Sequence, residues 1–294
     1  MLLAQKAIDR SRHQICVANL IAIDIGNTNI TAGIFKGDKL LSKAKIPTYA
    51  CSSYARRIKA LIKVIHNRRR GFGSTSLTIP RTIPSLSREI PPYGYGKMDD
   101  IEIIISSVVP LALARLVAEL HRMCISKIII LGRDKTVPIR NRYRIKNEVG
   151  QDRLVNAFAA KILYGTPAVI IDFGTAITFD IISKRGDYLG GLILPGIELS
   201  LSSLYRNTAL LPNVELERAS SIIGKDTVSS MRGGILFGFG AMCDGLATKY
   251  KKILGKSTKV IATGGNSKLM KRYARSIQHV DEDLTLKGLQ LISR

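Results

Sequence analysis

Residues 20–30 read LIAIDIGNTNI and residues 168–178 read AVIIDFGTAIT. Each stretch is an apolar run that ends in Asp-x-Gly and continues into small polar residues, a pattern that predicts a β-hairpin with a polar tip. The two aspartates, Asp24 and Asp172, are 148 residues apart, about half of the 294-residue chain. An internal duplication at half-length is the simplest interpretation.

The chemistry of such a tip suits a phosphate ligand. An aspartate at the end of a buried strand can hold a hydrated cation, and the glycine lets the backbone approach a phosphate closely. A single Asp-x-Gly is more often an ordinary turn. A third element, Thr263-Gly264-Gly265, follows an apolar run and precedes a helix predicted to begin near Ser267, an arrangement that suits an adenosine. Two tips and this element together favour a clamp around a metal triphosphate.

The rest of the chain predicts alternating helices and strands, which indicates an α/β fold. Strands are predicted at 101–108 and 127–131, and helices at 48–67, 110–123 and 152–164. Gly190-Gly191 and Pro195-Gly196 are interpreted as bracketing a short apolar strand. Asp180 and Asp187 are interpreted as strand-end and turn residues.

The charge of the chain is strongly positive, with 45 Lys+Arg against 22 Asp+Glu and a formal net charge of +23. Residues 51–98 hold ten of the basic residues and one acidic residue, Glu89. From about 66 to 98 this region has the Arg, Gly, Ser and Pro content of a flexible insert. A charge of this kind attracts nucleic acid or anionic substrates.

Cysteine and hydropathy patterns exclude several classes of protein. The four cysteines form no C-x-x-C pair and do not cluster with the four histidines, so we expect neither a zinc site nor a disulfide framework. No apolar stretch has the ~20 uninterrupted residues of a membrane span. The first 15 residues are too charged for a signal peptide, so we expect a cytoplasmic protein.

The constellation of two Asp-x-Gly tips and a late Thr-Gly-Gly turn resembles the superfamily of acetate kinase, sugar kinases, Hsp70 and actin. Within it, the sequence resembles the type III pantothenate kinases, and the blocks follow that family's order from residue 20 to the C-terminus. The blocks are DIGNTN at 24–29, VGQDRLVNA at 149–157, DFGTAITFD at 172–180, GGLILPG at 190–196, TALLP at 208–212, GKDT at 224–227, TGG at 263–265 and LTLKGL at 284–289.

The resemblance implies duplicated ribonuclease H-like (actin-like ATPase) domains with a cleft between them. It implies a first half at 17 to about 131, which carries the basic insert, and a second half at about 132–294, which carries the substrate-binding segment and the adenosine element. A leader at 1–16 and the insert at about 66–98 have no counterpart in the family.

The resemblance also implies a role for each matching residue. The ATP-binding residues would be Asp24, Ile25, Gly26, Asn27, Thr28, Asn29, Ile30, Thr31 and Thr175. The substrate-binding residues would be Tyr143, Gly150, Gln151, Asp152, Arg153 and Thr227. Asp152 would be the catalytic base, Asp172 would hold a monovalent cation (K⁺ or NH₄⁺), and Asp24 would hold Mg²⁺ through water. On the residues alone, Asp152 fits a helix cap equally well, and Arg153 fits a solvated surface arginine.

The implied activity is the ATP-dependent phosphorylation of pantothenate to 4'-phosphopantothenate, the first step of coenzyme A biosynthesis, by a homodimer. Because the family's pantothenate site lies close to the subunit interface, Thr227 could serve the neighbouring chain's site. Gln151, Lys146 and Ile177 depart from the family's usual alanine, proline and threonine. The alternative is a nucleic-acid-binding or transcription-accessory protein on the same scaffold, which the charge suggests. Such a protein is expected to lose Asp24, Asp152 or Asp172, and this chain keeps all three.

Overall fold

The computed structural model describes residues 19–49 and 101–294. The leader, the basic insert and all but the first two residues of the helix predicted at 48–67 lie outside these ranges. The chain divides into two compact units. One contains the described residues of Met1–Ile105 together with Val109–Ile130, and the other contains Ser106–Val108 and Leu131–Arg294.

The first unit is built on a five-stranded sheet. Its strands are β1 (Asn19–Ile25), β2 (Asn29–Lys36), β3 (Lys39–Pro47), β4 (Ile101–Ser107) and β5 (Lys127–Ile130). They lie in the order β3-β2-β1-β4-β5. β1, β2 and β3 pair antiparallel in sequence, and helix α1 (Pro110–Arg122) connects β4 to its parallel neighbour β5. Proline opens α1 because its missing N–H costs nothing in the first turn of a helix.

The second unit repeats this arrangement. Its strands are β6 (Ala168–Phe173), β7 (Ala176–Ile182), β8 (Tyr188–Pro195), β9 (Lys259–Thr263) and β10 (His279–Val280). Their order is β8-β7-β6-β9-β10, with β6, β7 and β8 antiparallel and β9 and β10 parallel to β6. Both sheets therefore have the strand order 3-2-1-4-5, and the predicted duplicated ribonuclease H-like fold is confirmed.

The helices of the second unit are α2 (Gln151–Tyr164), α3 (Ile197–Arg206), α4 (Thr227–Leu254), α5 (Ser267–Met270) and α6 (Leu284–Ser293). The sequence pattern predicts α2 and the start of α5 but not α3, α4 or α6. Five glycines between 233 and 245 interrupt the apolar periodicity of α4 and lower its helix propensity. Tertiary packing decides such a helix. Within 19–49 and 101–294, no helix has the length and apolar character needed to cross a membrane.

Strand β6 and helix α2 position the side chains of the candidate site. The central strand β6 is buried on both faces, which explains its unbroken apolar run. Helix α2 buries every residue from Arg153 to Ala160 and packs against α6. At Gly288 of α6, a Cβ atom would lie 2.6 Å from Cγ1 of Val155, so only glycine lets the two helices approach this closely. This packing fixes α2 relative to the second sheet.

Candidate active site

At the tip of the first hairpin, successive side chains point to opposite faces of the sheet. Ile25 pairs with Ile30, and both side chains are buried in the core of the first unit. Asp24 pairs with Thr31, and because directly opposed residues share a face, these two side chains lie together on the other side of the sheet. Ile25 and Ile30 can therefore offer a ligand only their backbone.

A residue that the sequence did not single out holds this tip. Gly26 N donates to the carbonyl of Asn29 at 3.0 Å and closes the turn. Thr48, which is 2% exposed, donates from Oγ1 to the carbonyl of Gly26 at 2.7 Å and from its backbone N to the carbonyl of Thr28 at 2.9 Å. Asn27 and Thr28 stay exposed at the apex. The tip is thus rigid in its backbone and polar at its surface.

The second hairpin tip reproduces the same pattern in its own unit. Phe173 and Ile177 are paired and buried, while Asp172 pairs with Thr178 on the opposite face. Thr175 is exposed in the turn, and its carbonyl accepts a hydrogen bond from Gly196 N at 3.0 Å. A Cβ at Gly196 would overlap that carbonyl, so the end of β8 closes on the turn.

Asp172 lies at the junction of three elements. Asn156 Nδ2 on α2 donates to Oδ2 of Asp172 at 3.1 Å, and Thr285 Oγ1 on α6 donates to Oδ1 of Asn156 at 2.7 Å. Thr263 of β9 is its neighbour in register, and Gly264 follows directly. Burial, followed by the charges of Asp152 and Asp180, raises the pKa of Asp172 to about 7, and the Asn156 hydrogen bond opposes the shift. The Thr-Gly-Gly element therefore meets the second tip.

Asp152 lies in the first turn of α2 but does not cap it. The N-cap is Gly150, without a side-chain cap. Oδ1 of Asp152 accepts from Arg153 N at 2.9 Å, and a Cβ at Gly150 would overlap that oxygen. Burial raises the pKa of Asp152, against the lowering effect of the Arg153 N–H and charge. Gln151 turns towards the loop after β5, where its Nε2 would lie 3.1 Å from a Cβ on Gly132.

The structure contradicts two interpretations of the sequence, one about Arg153 and one about Asp180. Arg153 is not a solvated surface arginine, and Asp180 is not a strand-end residue. Asp180 lies inside β7 and is 0% exposed, and Nε of Arg153 donates to its Oδ1 at 2.7 Å. Tyr188 Oη donates to the same oxygen at 2.8 Å, and Thr178 Oγ1 donates to Oδ2 at 2.9 Å. Burial raises the pKa of Asp180, while Arg153, Tyr188 and Thr178 oppose the shift.

Two glycines of β8 make room beside this ion pair. The sequence predicts that Gly190 and Gly191 border the strand, but in the structure both lie inside β8. A Cβ at Gly190 would lie 3.1 Å from the ring of Tyr143, and one at Gly191 would lie 3.2 Å from Nη2 of Arg153. Tyr143 is itself placed by its backbone N, which donates to Oδ1 of Asn141 at 2.9 Å. Tyr143 and Arg153 therefore both pack against β8.

Thr227 is the first residue of α4 and is exposed. Asp226 caps this helix together with Ser229 in a reciprocal capping box, which fixes the orientation of its first turn. The contacts that join Asp152, Asp172 and Arg153 are made by other elements, namely α2, β6, β7 and α6. Thr227 is a candidate on sequence grounds alone.

The donor chemistry of the site suits a partly hydrated cation at Asp172. Within 19–49 and 101–294, no three His, Cys, Asp or Glu side chains converge as a metal cluster. The Asp172 carboxylate is half-buried and offers the hard oxygen ligands that Mg²⁺ and similar cations take together with water. In the same unit, Asp152 offers a carboxylate of raised pKa beside the guanidinium of Arg153.

The sequence of this chain is similar to those of known proteins. The family model described as type III pantothenate kinase matches residues 20–249. The type III pantothenate kinase of Syntrophus aciditrophicus is 38% identical over 273 residues, which cover 93% of this chain and 98% of the relative. That of Listeria monocytogenes is 35% identical over 282 residues, covering 94% and 96%.

Similarity to solved structures is weaker. A Campylobacter jejuni protein named for the Baf family of transcriptional activators is 18% identical, with a TM-score of 0.48 and coverage of 92% of this chain and 95% of that one. Likeness at this level carries no argument about activity.

Proposed function

Because the chain belongs to the type III pantothenate kinase family, we propose that it transfers the γ-phosphoryl group of ATP to the primary hydroxyl of pantothenate. The product is 4'-phosphopantothenate, in the first step of coenzyme A biosynthesis. The observation that carries the proposal is the desolvated Asp152 carboxylate at the start of α2, beside Arg153 and in the same unit as Asp172.

Asp152 acts as the general base for the hydroxyl of pantothenate. In a loose phosphoryl-transfer transition state little proton abstraction is needed early, so alignment and charge neutralisation dominate. Asp152 orients the pantothenate hydroxyl and accepts its proton late in the reaction. The raised pKa makes the carboxylate a better acceptor than an aspartate in water, and the Arg153 N–H bonded to its Oδ1 fixes its direction.

Pantothenate binds to Tyr143, Gly150, Gln151, Asp152, Arg153 and Thr227. The guanidinium of Arg153 suits the pantothenate carboxylate, since arginine binds carboxylates through short, charge-assisted hydrogen bonds. Tyr143 packs on Gly190 and Arg153 packs on Gly191, which supports the proposal that both side chains contact pantothenate from the same strand, β8.

ATP binds to residues 24–31 and to Thr175. The rigid, glycine-containing tip at Gly26 suits close approach to a phosphate, and Asn27 and Thr28 add exposed hydrogen-bonding groups. Asp24 holds Mg²⁺ through water, and the ion supplies charge neutralisation at the phosphates. Residues 263–265 contact the adenosine.

A monovalent cation, K⁺ or NH₄⁺, binds at Asp172. The partly exposed carboxylate, whose pKa of about 7 reflects burial near Asp152 and Asp180, gains most from a bound positive charge. Asn156 holds one of its oxygens and leaves the other for the cation.

The active unit is a cytoplasmic homodimer. Exposed apolar side chains on the edge strand β8 and before α4 support an association surface on the second unit, with Ile193 at 65% exposure and Ile222 at 73%. In a dimer formed there, Thr227 at the start of α4 serves the neighbouring chain's site. No observation on the described residues favours the nucleic-acid alternative.

The test is phosphorylation of pantothenate by the purified protein with ATP and Mg²⁺, in potassium or ammonium against sodium. Asp152→Asn should lower kcat by about 10²–10⁴-fold. Asp187→Asn, which changes a partly exposed carboxylate paired with Arg142 in the same unit, is the matched control and should stay near wild-type activity. No turnover with any cation, or full activity of Asp152→Asn, would contradict the assignment.

A further inference from the structure

Asp180 is a fully buried carboxylate for which the reaction has no direct use. It lies inside β7, and both of its oxygens accept hydrogen bonds from neighbouring side chains. Oδ1 takes Nε of Arg153 at 2.7 Å and Oη of Tyr188 at 2.8 Å, and Oδ2 takes Oγ1 of Thr178 at 2.9 Å. With both oxygens engaged, Asp180 is locked in one orientation.

Arg153 is held at one edge only. The Arg153 side chain is 10% exposed. Nη2 also lies 2.7 Å from Oδ1 of Asp180 but off the hydrogen-bonding direction, so it has no acceptor within the described part of the chain. A buried donor without an acceptor is costly, which points to an acceptor that arrives with a ligand.

The strand beside Arg153 is shaped for this guanidinium. A Cβ at Gly191 would lie 3.2 Å from Nη2 of Arg153 and would also overlap the carbonyl of Phe179. Any other residue there would displace either the guanidinium or β7. Buried ion pairs add little net stability compared with apolar packing, so stability is a poor explanation for a buried Asp–Arg pair at this place.

We propose that Asp180, supported by Tyr188, is a positioning residue that holds the guanidinium of Arg153 with Nη2 directed at the carboxylate of the acceptor substrate. The inference rests on the proposed function and adds a source of acceptor specificity to it. Asp180 touches no reacting atom and acts only through Arg153.

The first test compares pantothenate with an analogue whose carboxylate is replaced by a primary amide. The wild type should prefer the acid. Asp180→Asn should raise KM for pantothenate by about 10–100-fold, the range expected when a hydrogen bond to a charged group is lost. The variant should keep KM for ATP within about 2-fold of the wild-type value. Its kcat/KM for pantothenate should be close to its kcat/KM for the amide analogue, so that the acid-to-amide ratio approaches one. Tyr188→Phe, a milder change that keeps the ion pair, should shift the same ratio by about 5-fold.

Tyr164→Phe is the matched control. Tyr164 donates to the buried Asp281 at 2.9 Å, and Lys287 pairs with that aspartate at 2.7 Å, so the change removes the same kind of hydrogen bond in the same unit. It should leave the acid-to-amide ratio unchanged. A general loss of packing would move both tyrosine variants alike.

A double variant tests whether Asp180 acts through Arg153. In an Arg153→Met background, Asp180→Asn should add no further increase in KM for pantothenate, because coupled residues are not additive. The proposal is wrong if Asp180→Asn or Tyr188→Phe keeps the wild-type acid-to-amide ratio, or if the double variant shows additive effects. A wild type that phosphorylates neither compound would instead refute the proposed function. If Asp180→Asn does not fold, the proposal is tested by comparing the acid-to-amide ratio of Tyr188→Phe with that of Tyr164→Phe.

Discussion

The backbone of Gly264 lies directly against the carboxylate of Asp172. A Cβ at Gly264 would overlap Oδ1 of Asp172 and would lie 2.7 Å from the carbonyl carbon of Phe173. Gly264 also has a φ of +85°, a conformation that favours glycine. The end of β9 and the tip of the β6–β7 hairpin thus form one continuous surface, and the residue between them has to be glycine.

Gly264→Ala should therefore disturb the second tip. Gly165 has the same φ of +85° but open space around it, so Gly165→Ala isolates the backbone strain. We expect Gly165→Ala to lower the free energy of unfolding by about 1–3 kcal/mol. Gly264→Ala should cost about 1–3 kcal/mol more because of the overlap, and should raise KM for ATP. Urea unfolding and steady-state kinetics measure both; equal effects of the two variants would contradict the contact.

Thr48→Val tests the support of the first tip. The change removes the hydrogen bond from Oγ1 to the Gly26 carbonyl and should lower the free energy of unfolding by about 1 kcal/mol. Because the tip loses its fixed backbone, KM for ATP should rise by about 10-fold. Thr258→Val is the control, since Thr258 is buried and donates to the carbonyl of Gly255 at 2.6 Å away from either tip. An unchanged KM for ATP in Thr48→Val would remove Thr48 from the site.

Stability should fall with rising pH because of Asp172. Burial, followed by the charges of Asp152 and Asp180, raises its pKa from 3.8 to about 7. The folded protein therefore holds this proton more tightly than the unfolded chain does. The stability contributed by the group is full below about pH 4 and is lost as the pH rises to about 7. Urea unfolding of the wild type and Asp172→Asn in buffers free of potassium and ammonium should show a steeper decline for the wild type across that window. Parallel curves would contradict the raised pKa.

Thr285→Val should weaken the binding of the activating cation and leave the maximal rate of the enzyme unchanged. Thr285 fixes the amide of Asn156, and Asn156 in turn orients Asp172. Without the hydroxyl, the half-activating potassium concentration should rise by about 5-fold, the effect of one lost hydrogen bond. Thr248→Val removes a comparable hydroxyl on α4, whose Oγ1 donates to the Asp244 carbonyl at 2.8 Å, and should leave this concentration unchanged.

Much of the site could be predicted from sequence because its parts are local. An apolar run followed by Asp-x-Gly predicts both hairpins, and the structure places them at β1–β2 and β6–β7 with the aspartates in equivalent register positions. Helix α2 was predicted within one residue of its start. Strands β3 and β10 and helices α3, α4 and α6 are not predicted. In α4 the reason is visible, because five glycines between 233 and 245 weaken its apolar periodicity and distant packing decides the helix.

The duplication, the family and the order of the motifs follow from the amino-acid sequence alone, since each depends on residues that are neighbours in the chain. Which polar groups contact each other depends on the packing of distant segments. Asn156 and Thr285 are 129 positions apart, and Arg153 and Asp180 are 27 apart. No local pattern records such pairs, because they form only when α2 packs between the sheet and α6. For the same reason the sequence left a solvated surface position open as an alternative for Arg153, and the structure excludes it, because Arg153 is buried against the carboxylate of Asp180.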